Sequence, residues 1–108
     1  MNDLEIERRI ADIEGVHYIE TKYDKNNFLA LVSENGYVCS APEMIGKYSP
    51  LTDDGLCKRL VVKHKVALSV AYKIWKARIK TADNAHVAHD KNYSKAAMLA
   101  IISAHKDV

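Results

Sequence analysis

The chain has 108 residues, 48% of them apolar and 28% charged, with four glycines, two prolines and a formal net charge of +2. That length suits one domain, residues 1–108, with a core it can build unaided, and the composition excludes a low-complexity or disordered chain. Two cysteines, Cys39 and Cys57, are too few for a disulfide framework, and both sit among apolar neighbours as small buried hydrophobes.

The first element is a helix over residues 3–14. Asn2 or Asp3 offers a capping oxygen, Ile6, Ile10 and Ile13 make one apolar stripe, and Gly15 supplies a left-handed stop. Strand chemistry follows, with Val16 to Thr21 rich in β-branched and aromatic residues and Phe28 to Val32 a short apolar run. Asn35-Gly36, set between Leu31-Val32 and Tyr37-Val38, signals a two-residue hairpin turn. Ser40 to Pro50 holds both prolines and Gly46 and reads mainly as a connection.

A second helix starts after Pro50, with Thr52 as cap and Asp53 and Asp54 where the helix dipole favours negative charge. Leu56, Leu60 and His64 recur along it, widened by Cys57 and Val61. Val66, Leu68, Val70, Tyr72 and Ile74 then alternate with smaller or polar residues, the period of a half-buried strand. The phase switches at Trp75, after which Trp75, Ala77 and Ile79 face one way and Lys76, Arg78 and Lys80 the other. The switch is a bend, a bulge or a tight hairpin without glycine; one helix over residues 67–80 is the competing reading. Thr81 to Asn92 reads as a polar loop. Ser94 then caps a last helix with Ala97, Met98, Ile101, Ile102 and His105 on its stripe. The order α-β-β-β-α-β-β-α predicts an α+β domain, with helices on a small, mostly antiparallel sheet.

The charge is unevenly placed. Residues 1–54 carry five Lys/Arg against eleven Asp/Glu, a net of −6, and residues 55–108 carry eleven against three, a net of +8. The split either neutralises itself across the fold or addresses a charged partner, a second copy in a homodimer included. The start of the sequence is acidic and has no signal-peptide pattern. No run of apolar residues reaches membrane-span length, so the reading is a cytoplasmic protein without a membrane partner.

No catalytic constellation stands out. His86, His89 and Asp90 invite a metal reading, but zinc asks for three or four rigidly placed ligands, and a solvated loop explains them as well. A cysteine–histidine pair has no geometry to select it, and no phosphate loop or nucleophile elbow is present. The chain is therefore expected to be neither an enzyme nor a cofactor binder. The most suggestive segment is Tyr72 to Lys80, where Lys73, Lys76, Arg78 and Lys80 are candidate contacts to phosphates or a partner. The bland alternative is a solvated face with Trp75 in the core.

Tyr48-Ser49-Pro50-Leu51-Thr52-Asp53, then Trp75-Lys76-Ala77, then Asn92 to Ile102 with its Ala96-Ala97-Met98, resemble the NinX-like family of small phage proteins. The opening Asn2 to Ile6, with Ile10-Ala11 and Glu14-Gly15, is also similar, whereas residues 16–47 give no match. The resemblance implies a temperate-phage or prophage gene product of the accessory class, working in the bacterial cytoplasm, and it transfers no catalytic residue. With the charge split, it leads to the expectation of a protein that binds a host protein or protein complex, such as an inhibitor of a host defence complex. The alternative, from the basic segment itself, is a small nucleic-acid-binding domain using Lys73 to Lys80.

Overall fold

The computed structural model describes residues 1–23, 25–38 and 41–105. In chain order the elements are α1 (Asp3–Glu14), β1 (Tyr18–Tyr23), β2 (Asn26–Val38), β3 (Ala41–Tyr48), α2 (Asp54–Lys63), β4 (Ala67–Ala71), β5 (Ile74–Lys80), β6 (Ala85–Asp90) and α3 (Tyr93–Ala104). The fold is α+β, with two antiparallel three-stranded sheets ordered β1-β2-β3 and β4-β5-β6. The chain divides into two compact units, Met1–Ser49 and Pro50–Val108. The sequence gives the first a net charge of −4 and the second +6.

In the first unit, α1 begins where the Glu5 amide donates to Asn2 Oδ1 at 2.8 Å, so Asn2 is the cap. It ends at Gly15, whose φ of 66° lets its N–H reach the carbonyls of Ala11 and Asp12. Ile6, Ile10 and Ala11 are buried, and α1 packs on β2, where Leu29 is buried too. Burying each isoleucine stabilises by about 1.5–3 kcal/mol relative to leaving it in water. Two polar contacts fix α1 to β1. Tyr18 donates to Asp12 Oδ1 at 2.8 Å, and Arg8 pairs with Glu20 at 2.8 Å.

In the second unit, β4, β5 and β6 form a meander with α3 packed on one face and α2 beside α3. α3 is apolar nearly throughout, with Ala96, Ala97, Met98, Ala100, Ile101 and Ile102 buried. It is capped by Asn92, whose Oδ1 accepts from the Ser94 amide at 2.9 Å. His64 and His105, at the ends of α2 and α3, meet edge to face with ring centroids 5.3 Å apart.

Several expectations change. Asp53, not Thr52, caps α2 through the Leu56 amide, because its carboxylate sits where that N–H points. Ser94 lies inside the first turn of α3 rather than at its cap. Asn35-Gly36 lies within the long β2, where the pairing with β3 shifts register between Val32 and Tyr37. Residues expected to form a connection make β3. This is an edge strand, where a proline such as Pro42 is tolerated. The polar segment 81–92 contains β6, entered by a turn in which the Thr81 amide donates to the Asn84 carbonyl at 2.8 Å. Cys39 falls outside the described residues; Cys57 is fully buried.

Candidate functional site

The register of the second sheet decides which side chains share a face. Ser69, Lys76 and His89 lie in one cross-strand row, and Ala67, Arg78 and Val87 in the next. Lys80 stands opposite Ala85, and Ala71 opposite Ile74. All ten of these residues are exposed. The opposite face carries Leu68, Ala77 and Ala88, then Ile79 and His86, and it is the face against α3, with Ala77 and Ile79 buried. Strand alternation thus sends the apolar residues of β5 to the core and its three cations to the open side.

The open face holds no Asp or Glu, and none of Lys76, Arg78 and Lys80 has an ion-pair partner among the described residues. Successive cations repeat at about 7 Å, two residues of extended chain, so the row runs about 14 Å along the central strand. On either side the flanking strands contribute mostly small side chains, Ala67, Ser69, Ala71 and Ala85. The surface is a positive strip with a low shoulder on the β4 side. Ser69, Lys76 and His89 stand in one row on it with no carboxylate beside them; what the repeated cations can do is hold an anion that repeats in one dimension.

Of the four residues singled out in the sequence, the structure brings Lys76, Arg78 and Lys80 together on the strip. Lys73 stands apart, in the β4–β5 turn with a φ of 65°. The phase switch is a glycine-free hairpin: Ala71 pairs with Ile74, leaving Tyr72 and Lys73 as a two-residue turn. Tyr72 was expected on a half-buried strand; it is 99% exposed at the tip. Trp75 is half-buried rather than central, tilted against Tyr93. Ile74, Val87 and His89 also share the strip, and reading β6 as a loop hid the last two. The signal for them is a period of two over residues 85–90, alternately exposed and half-buried.

That alternation also separates the histidine pair. His86 and Asp90 lie on the helix-facing side, where His86 Nδ1 is 3.4 Å from Ser103 Oγ, whereas His89 lies on the open face. Residues three apart on a strand cannot converge on one ion. No group of three metal-ligating side chains comes together among the described residues.

A second polar cluster lies in the first unit. Tyr48 is 4% exposed, and neither its hydroxyl nor Glu7 Oε2 has a hydrogen-bond partner among the described residues. Burial pushes the Tyr48 phenol up to about 12, and the negative charges of Glu14 and Glu7 add to it. Tyr18 is raised by burial and by its bond to Asp12.

No helix among the described residues is long and apolar enough to cross a membrane. The family model described as Bacteriophage P22, NinX matches residues 1–105, a span that takes in residues 16–47 as well. No curated protein and no solved structure matches the chain.

Proposed function

The chain belongs to the phage P22 NinX family, and from that premise we propose that this accessory phage protein works by binding rather than turnover, with a nucleic-acid backbone as its ligand. The observation that carries the reading is the row Lys76, Arg78 and Lys80, exposed on a sheet face without a carboxylate. Evenly spaced cations on one strip match a ligand whose charges also repeat evenly, which a phosphate backbone does. The acidic first unit and the basic second unit keep the net charge small while concentrating the positive field on the second.

Fluorescence anisotropy with labelled oligonucleotides across a salt series tests it. Binding should weaken as salt rises, with a slope in log K against log salt of about −0.7 per phosphate contact for a single strand. The triple change Lys76→Ala, Arg78→Ala, Lys80→Ala should flatten that slope by about two. Exposed positions shift stability by less than about 0.5 kcal/mol each, so the variant stays folded. A parent protein that binds no oligonucleotide at low salt overturns the reading.

A second reading is a host protein with an acidic face, a component of a host defence complex being the case the phage setting suggests. It is favoured by Ile74 and Val87, 37% and 41% exposed on the same strip, because protein interfaces bring apolar area to their centre.

A further inference from the structure

The β4–β5 turn is the most unusual backbone on the second unit. Tyr72 and Lys73 have φ of 51° and 65°, the doubly left-handed geometry of a two-residue hairpin turn. Asn-Gly or Gly-Gly adopts it with little strain, whereas a bulky aromatic at positive φ is an outlier. Tyr72 recovers nothing by packing, since it is 99% exposed. A strained position that keeps a large ring out in water indicates a side chain retained for something other than folding.

The turn also has a particular place. It caps the end of the sheet from which the cationic row departs, through Ile74 to Lys76, Arg78 and Lys80. Tyr72 stands about 10–14 Å before the first cation along the chain, less than the length of the row and its turn together. Lys73, the next residue, adds a further cation to the turn.

We infer that Tyr72 is a base-stacking residue, so that the ligand of the open face is single-stranded nucleic acid, its phosphates on the cationic row and an unpaired base on the Tyr72 ring. This rests on reading the face as a nucleic-acid interface. An aromatic ring open to solvent can stack on a base that is itself unstacked, whereas a duplex keeps its bases stacked inside. Ala67, Ser69 and Ala71 leave the β4 side of the row open to an extended strand lying along β5, while Val87 and His89 stand on the β6 side. Stacking is sequence-tolerant because every base has a π-face, so the pocketless strip fits a ligand read by shape and charge rather than by base identity.

Anisotropy on the full chain with a labelled dT oligomer, a duplex of equal length and a poly-glutamate competitor tests it. The parent should prefer the single strand, and poly-glutamate should compete poorly. Tyr72→Ala should weaken the single strand about tenfold, leaving the duplex and the salt slope unchanged, and Tyr72→Phe should restore it. The pair Tyr72→Asn with Lys73→Gly relieves the turn, so it should melt higher than the parent and still lose the single-strand preference. That result separates lost stacking from lost folding. Equal single-strand affinity in the parent and Tyr72→Ala, while the triple alanine change abolishes binding, overturns the stacking role and leaves the interface standing. No oligonucleotide binding together with tight poly-glutamate binding overturns both, and assigns the face to an acidic protein.

Discussion

The indole of Trp75 lies 5.7 Å, centroid to centroid, from the ring of Tyr93 at a tilt of 60°, tying the start of β5 to the first turn of α3. Trp75 is half-buried and shares its face with Val70 and Asp90, one pair in from the β4–β5 turn. A fully buried aromatic truncated to alanine costs about 3–5 kcal/mol; a half-buried one should cost about 2. Urea melts followed by far-UV circular dichroism should show that loss for Trp75→Ala. A double-mutant cycle with Tyr93→Leu should return a coupling of about 0.5–1.5 kcal/mol. A Trp75→Ala protein that melts with the parent would mean that the ring packs on nothing.

Tyr48 makes the protein sensitive to alkali. Its phenol is raised from 10.0 to about 12, so folding favours the neutral form. The contribution is complete below about pH 10 and is lost as pH rises through about 12, a loss on the order of 2–3 kcal/mol. The same burial leaves its hydroxyl without a hydrogen-bond partner among the described residues, a desolvated group that earns nothing back. Tyr48→Phe should therefore be neutral or stabilising at pH 7, by up to about 1 kcal/mol. It should also flatten the decline in melting temperature between pH 10 and 12. A mutant that melts lower at pH 7 would show that the hydroxyl is hydrogen-bonded in solution.

How far the sequence is legible depends on whether one physical signal dominates each segment. In α1, Ile6 and Ile10 at helical spacing and the stop at Gly15 agree, and the helix runs over the expected residues. In β5 the alternation of Ala77 and Ile79 with Lys76, Arg78 and Lys80 separates core from solvent in the sequence as it does in the sheet. β6 fails because its half-buried positions are His86, Ala88 and Asp90, which carry too little hydrophobicity to mark a face. β3 fails because proline and glycine argue against a strand unless the strand is known to be an edge, which only the sheet order reveals. Tyr72 is misread for a related reason. Its spacing continues the stripe of Val66, Leu68 and Val70, and only the left-handed φ of the turn takes it out of the strand.

The caps of α2 and α3 set up a comparison. Asp53 accepts from the Leu56 amide at 3.2 Å, and Asn92 from the Ser94 amide at 2.9 Å. Loss of either oxygen should cost about 1 kcal/mol, so Asp53→Ala and Asn92→Ala should each lower the melting point, while Asp53→Asn keeps the cap. The neighbouring Asp54 pairs with Lys58 at 3.0 Å, but both side chains are exposed. That pair is worth no more than about 0.5 kcal/mol, so Asp54→Ala should be the mildest of the set. Equal losses for Asp53→Ala and Asp54→Ala in thermal melts would place the benefit in helix-end charge rather than in the capping bond.

Val87 separates the two ligand classes by a gain rather than a loss. It lies on β6 opposite Arg78, 41% exposed, on the carboxylate-free face. Lysine is well tolerated on an edge strand and removes little buried area there, so Val87→Lys should leave stability within about 0.5 kcal/mol of the parent. Against a phosphate backbone it adds a fourth cation beside the row. Oligonucleotide affinity should rise, and the salt slope should steepen by about 0.7. Against a protein interface the same change replaces apolar contact area with a charge that must be desolvated, so affinity should fall. Val87→Glu should do the reverse for nucleic acid, placing a carboxylate directly across from Arg78. An anisotropy titration of the two variants beside the parent reads the sign. Tighter oligonucleotide binding by Val87→Lys and weaker by Val87→Glu identifies the strip as a phosphate surface, and no change in either places the nucleic-acid contact elsewhere.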